Sequence, residues 1–160
     1  MTRLLRLALA ASVALAACNS NTAPGDDTAA ELESPAEPAP RMSASAALTG
    51  VATGMLQPET MTEADLVSLG GLTRRCIFRM TRVGFPSLLF GGREGDATIK
   101  LNGKLITLPA AGDGLYRDGG LSVLLRRPEG EVDGLQEAEM IVMLPGAKDE
   151  LGFRGFADCG

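Results

Sequence analysis

The sequence predicts a mainly β fold: a small antiparallel barrel or sandwich of about seven strands with one short N-terminal helix. Three observations carry this. Beyond Gly71 apolar side chains recur at every second position rather than at helical spacing. Glycine-containing turns punctuate the chain at short intervals. Asn102-Gly103 stands between Ala97–Leu101 and Lys104–Leu108, the two-residue pair that a type I′ hairpin favours.

The elements follow in order. Thr60 and Glu63 have capping-box spacing ahead of Ala64, Asp65, Leu66 and Val67, and Gly70-Gly71 ends the run. A helix of two to three turns results, with Leu66 and Leu69 toward a core and Glu63 and Asp65 in water. Arg74 to Arg82 alternates, with Cys76, Phe78 and Met80 on one face. Ser87–Phe90 follows Pro86 as a short apolar strand, and the hairpin at Asn102-Gly103 comes next. Leu121–Arg127, Glu137–Leu144 and Phe153–Cys159 complete the set.

The N-terminus reads as an address. Arg3 and Arg6 precede Leu7–Ala17, an Ala/Leu/Val run too short to span a bilayer. It ends in Leu15-Ala16-Ala17-Cys18, which resembles the bacterial lipobox at all four positions. The resemblance implies cleavage before Cys18 and acylation of its thiol, giving a lipid-anchored protein of the bacterial cell envelope. Asn19 in the next position fits the outer membrane, facing the periplasm. The expected organisation is a signal peptide over 1–17, the lipidated Cys18 with a disordered Pro/Ala/acidic tether over 18–46, and a compact domain over 47–160. Pro24, Pro35, Pro38 and Pro40 among Ala, Ser and acidic residues give the tether too little apolar surface to fold. With Cys18 acylated, Cys76 and Cys159 remain as an even pair in an oxidising compartment, and a disulfide is expected. The alternative is two free buried thiols.

Composition excludes several functions. The 160 residues contain no His, so Ser-His-Asp and Cys-His catalysis and His-ligated zinc are ruled out. A net charge of −5 and six aromatic side chains fit no nucleic-acid binder. No Ser has a base in a recognisable motif, and no phosphate-cradling loop is present. The expectation is a non-enzyme with no cofactor.

The most unusual stretch is Gly112–Gly120, with Asp113, Gly114, Tyr116, Arg117 and Asp118 between glycines. It reads as a surface loop with Tyr116 tucked against the sheet, or as a partner-binding loop made of those five residues. Asp113 and Asp118 could contribute to a calcium site, but the Asp-x-Asp-x-Asp-Gly spacing is missing, and no metal is expected. Arg74, Arg75, Arg79 and Arg82 form a basic strip. Glu129, Glu131, Asp133, Glu137 and Glu139 form an acidic stretch suited to a solvated face or to steering a cationic protein.

Cys76-Ile77-Phe78, Ala97–Leu101, Asn102-Gly103-Lys104, Leu108-Pro109, Tyr116 and Leu121–Val123 occur in an order that resembles the membrane-bound C-type lysozyme inhibitor family. The resemblance covers about a third of the chain and implies a small β domain that binds lysozyme. That family's signature is Ser-Gly-x-x-Tyr. Here Gly112-Asp113-Gly114-Leu115 precedes Tyr116, so with a one-residue gap Asp113-Gly114 stands where Ser-Gly would be. The expected function is an envelope lipoprotein that binds protein, lysozyme-inhibitor-like. The alternative is a structural or assembly lipoprotein docking on an outer-membrane protein complex.

Overall fold

The computed structural model describes residues 36–159 except Arg93, Glu129, Gly130 and Asp133. The expected signal peptide, Cys18 and most of the tether lie outside the described residues. Among the described residues there are eleven strands and two short α-helices. In chain order they are β1 (Arg41–Met42), α1 (Ala44–Leu48), α2 (Glu63–Ser68), β2 (Cys76–Arg79), β3 (Leu88–Phe90), β4 (Ala97–Leu101) and β5 (Lys104–Leu108). These lead to β6 (Ala110–Gly112), β7 (Leu115–Asp118), β8 (Leu121–Arg126), β9 (Glu131–Val132), β10 (Leu135–Met143) and β11 (Leu151–Cys159). A 3₁₀ turn, Thr53–Met55, follows α1.

The mainly β expectation holds, but the strands number eleven rather than seven and belong to one sheet, not to a two-sheet sandwich. The order is β1-β5-β4-β3-β2-β11-β10-β8-β7-β6, with β9 added to β10. All pairs are antiparallel except β1 on β5, which is parallel. The sheet is open and curled, a half-barrel in outline. Its far ends return to one stretch of chain, because β5 and β6 flank Pro109 and the Arg117 N–H donates to the Pro109 carbonyl at 2.9 Å.

The curl wraps one core. Phe78, Phe90, Ile99, Ile106, Val123 and Met140 are all fully buried and belong to it. Along β10 the inward set is Ala138, Met140 and Val142, alternating with exposed Glu137 and half-buried Glu139, until Ile141 on the other face is buried as well. Leu88-Leu89-Phe90 breaks that alternation for a physical reason. Helix α2 covers the outer face there, and Leu89 and Leu105 join Met61 and Leu66 in a second small core. Helix α1 belongs to the main core through Ala44 and Ala47.

Two expectations for the N-terminal part need correction. The compact unit starts at Ala36, not at Ala47. Residues 36–48 are built in because their backbone finds partners: Leu105 donates to the Pro40 carbonyl at 2.9 Å, and Ala39 donates to Asp65 Oδ1 at 2.6 Å. The capping box lies two residues later than Thr60 and Glu63. Thr62 is the N-cap and Asp65 its partner, with the Thr62 N–H donating to Asp65 Oδ2 at 2.8 Å. Asp65 is therefore not in water but fully buried. Lys100 Nζ donates to its Oδ2 at 2.7 Å. Gly70 and Gly71 end the helix as expected, with φ of 90° and 79°.

The expected disulfide is present. Cys76 and Cys159 face each other in register across β2 and β11 and are bonded, 83 residues apart in sequence. Close by, β11 passes over β2 at Gly155, where a Cβ would lie 2.1 Å from the Arg79 carbonyl oxygen and 2.9 Å from Phe78 Cζ. Neither atom can move cheaply, one being backbone and the other a core ring. Gly155→Ala is expected to lower stability by about 3 kcal/mol, read as a shift of the urea midpoint at constant slope.

Candidate functional site

The stretch predicted as a loop over 112–120 is a hairpin and a strand. Its backbone groups are taken up by sheet pairing: Gly112 is opposite Leu115, and Tyr116 is opposite Val123. Two tight turns bracket β7, Gly119-Gly120 after it and Asp113-Gly114 before it, the latter with φ of 47° and 76°, the two left-handed residues a type I′ turn needs. Gly114 is required twice over. Its φ is positive, and a Cβ would lie 2.6 Å from the Leu125 carbonyl oxygen. The Leu125 N–H in turn donates to the Gly114 carbonyl at 2.9 Å.

The five candidate residues divide. Tyr116 belongs to the core and is 1 % exposed. Its ring lies 6.2 Å from that of Phe90, and its hydroxyl donates to the Gly92 carbonyl at 2.7 Å. Burial raises the phenol pKa, against the opposing pull of the Arg127 charge. Tyr116→Phe is expected to cost about 1–2 kcal/mol by leaving the Gly92 carbonyl without this donor; thermal denaturation of the two proteins measures it. Arg117 Nε donates to the Ser122 hydroxyl at 3.0 Å. Asp118 Oδ2 accepts from the Ala44 N–H at 2.8 Å, at the first residue of α1. Asp113 and Asp118 thus have separate roles, one in a turn and one against α1. Of the five, Tyr116 is enclosed in the core, Asp118 is half-buried against α1, and Asp113 and Arg117 are exposed, with Gly114 half-buried at the turn.

Asp113 and Gly114 form one wall of a surface groove of about 440 Å³. The other walls are the end of β8, Leu125–Pro128, and Glu139 on β10. Arg126 and Glu139 are paired in register across β8 and β10, with Nη1 3.8 Å from Oε2. Arg127 lies 5.7 Å over the Phe90 ring, with Nη1 3.9 Å from Cys159 Sγ. The groove thus offers two guanidinium groups, two carboxylates and a proline at one rim of the sheet. Sequence reasoning missed Arg126, Arg127, Pro128 and Glu139 as one group. Arg126-Arg127 before a turn was a visible signal, but only the β8–β10 register brings Glu139 to it.

The basic strip and the acidic stretch do not remain separate fields. Arg79, Phe156 and Glu137 lie in one cross-strand row, and Arg126, Glu139 and Arg154 in another. Arg79 also pairs with Asp158 at 3.7 Å, and Arg82 lies 5.8 Å over the Phe156 ring. The outer face of β2, β11, β10 and β8 is a mixed-charge lattice, which weakens any long-range field of one sign. Glu129 and Asp133 lie outside the described residues.

Compared with known proteins, residues 14–160 match a family described as a domain of unknown function, DUF6692. The chain belongs to this family. No curated protein and no solved structure matches the chain. Among the described residues, no helix of this DUF6692 member is long and apolar enough to cross a membrane.

Proposed function

We propose that this DUF6692 protein is a lipid-anchored, non-catalytic protein-binding module of the bacterial envelope. Acylated Cys18 would hold it at the membrane, and the Asp113–Pro128 groove would be its contact surface. One observation carries this reading above the others. The inside of the curled sheet is filled by large side chains such as Tyr116, Phe78 and Phe90, so the domain offers its partner a surface. The Leu15–Cys18 motif supports the location, and it lies within the span shared with the family.

The groove favours lysozyme as the named partner, because Asp113-Gly114 forms a turn at its rim and the chain is acidic, as a basic enzyme would require. Arg126→Glu puts a third carboxylate beside Glu139 without touching the core, since Arg126 is 59 % exposed. The purified domain is expected to slow a muramidase at micromolar concentration, with the effect changed at least fivefold in Arg126→Glu. No slowing at all would remove the lysozyme version. Cross-linking in intact cells then tests the second reading, docking on an outer-membrane protein complex. That reading draws on the two open ends of the sheet, β1 and β6, which can accept a further strand.

A further inference from the structure

The loop between β2 and β3 carries an unusual pair of side chains. Val83 is 79 % exposed and Phe85 48 % exposed, on either side of Gly84. Gly84 has a φ of 115°, a conformation other residues rarely adopt, so the chain bends sharply between them. The Thr81 hydroxyl donates to the Val83 carbonyl at 2.5 Å and braces the bend. Contact with water disfavours both side chains, yet the fold holds them out.

Their position gives the reason. The Pro86 carbonyl, at the base of this loop, accepts from the Met61 N–H at 2.8 Å. Next to Met61, Thr62 donates to Asp65 at 2.8 Å, and Asp65 accepts the Ala39 N–H at 2.6 Å. One short chain of hydrogen bonds therefore links the apolar loop to the place where residues 36–39 join the domain. Seventeen residues, 19–35, separate that place from Cys18, a span of at most about 60 Å for the fully extended chain.

We infer that the Val83–Phe85 loop is a second membrane contact: it inserts into the headgroup region of the bilayer that holds the acylated Cys18. The inference rests on the anchored reading above and goes beyond it by fixing which edge of the domain meets the lipid. A convex tip of two apolar residues needs no matching pocket in a bilayer, where a protein partner would have to supply one. Aromatic and aliphatic side chains are at home at that depth. A tether this short keeps the loop at millimolar effective concentration near the surface, so weak insertion suffices.

Residues 36–160 form one compact unit that contains both cores and the disulfide, so this unacylated piece separates the loop from the anchor. The chain has no Trp, and Phe85→Trp therefore places a single reporter at the tip. Adding phosphatidylglycerol/phosphatidylethanolamine vesicles at millimolar lipid is expected to shift its emission to the blue. The same vesicles should sediment the unsubstituted piece. Val83→Ser/Phe85→Ser should sediment at least tenfold less while keeping its thermal midpoint. An unshifted emission from the Phe85→Trp variant together with no sedimentation overturns the inference. So does a blue shift produced by an envelope protein fraction and not by vesicles. Failure of acylation at Cys18 is read separately, from the mass of the full chain, and leaves this vesicle result standing by itself.

Discussion

Reducing the Cys76–Cys159 bridge is expected to lower the stability of the domain by about 4–5 kcal/mol in the chain-entropy account. The size follows from the 83-residue separation, since cross-linking removes more freedom from the unfolded chain as the closed loop lengthens. The bridge also has a local task. β11 is the last strand, and it joins β2 on one side to β10 on the other. Without the bond, the end of that strand is held to β2 by pairing alone. Every strand from β2 to β11 lies within the closed loop, so the loss falls on the whole sheet. Thermal unfolding with and without reductant, and of Cys76→Ala/Cys159→Ala, should show a drop on the order of 15 °C. A shift of only a degree or two would mean that the unfolded chain is already compact around that loop.

Asp65→Ala is expected to lower stability by about 3–5 kcal/mol, the range for leaving one member of a buried ion pair alone. Asp65 is fully buried and Lys100 nearly so. The carboxylate accepts from Lys100 Nζ and from the Ala39 and Thr62 N–H groups, and through the last of these it closes the capping box of α2. Removing it unpairs Lys100, uncaps α2 and releases the segment leading into β1. Burial by itself would raise the Asp65 pKa. The Lys100 ammonium and the N–H groups outweigh it and hold the carboxyl at about 2, below the ordinary 3.8. A carboxyl lowered by folding contributes stability that is complete above its unfolded value and lost as the pH falls. The domain should therefore lose about 2 kcal/mol between about pH 4 and pH 2 from this group. Asp65→Asn should flatten that part of the profile, because nothing remains there to titrate. Denaturant melts across this range read both effects.

These two sites also show what could be read from the residues alone. The Cys pair was legible because acylation of Cys18 would leave an even number. The β4–β5 hairpin was legible because Asn102-Gly103 is a local signal, and the residues indeed adopt φ of 45° and 68°. Asp65 was misplaced because the partner that makes burial tolerable, Lys100, lies on β4, far along the chain. The short strand β1 was missed for a similar reason. Nothing in Pro40-Arg41-Met42 looks like a strand, and its pairing exists only because β5 has a free edge beside it. At the candidate site, glycine spacing suggested a loop over 112–120, but the same glycines sit at two tight turns that bracket β7. Tyr116 then falls on the inward face by strand alternation, opposite Val123. Half of the groove was visible as Asp113-Gly114. The other half depends on strand register, which no local pattern records.

The measurement that tests the account most directly is the mass of the mature chain isolated from cell membranes. The expected result is an N-terminus at Cys18 carrying a diacylglyceryl thioether, with Cys76 and Cys159 bridged. A chain that retains residues 1–17, has an unmodified thiol at position 18 and is recovered away from membranes would contradict it.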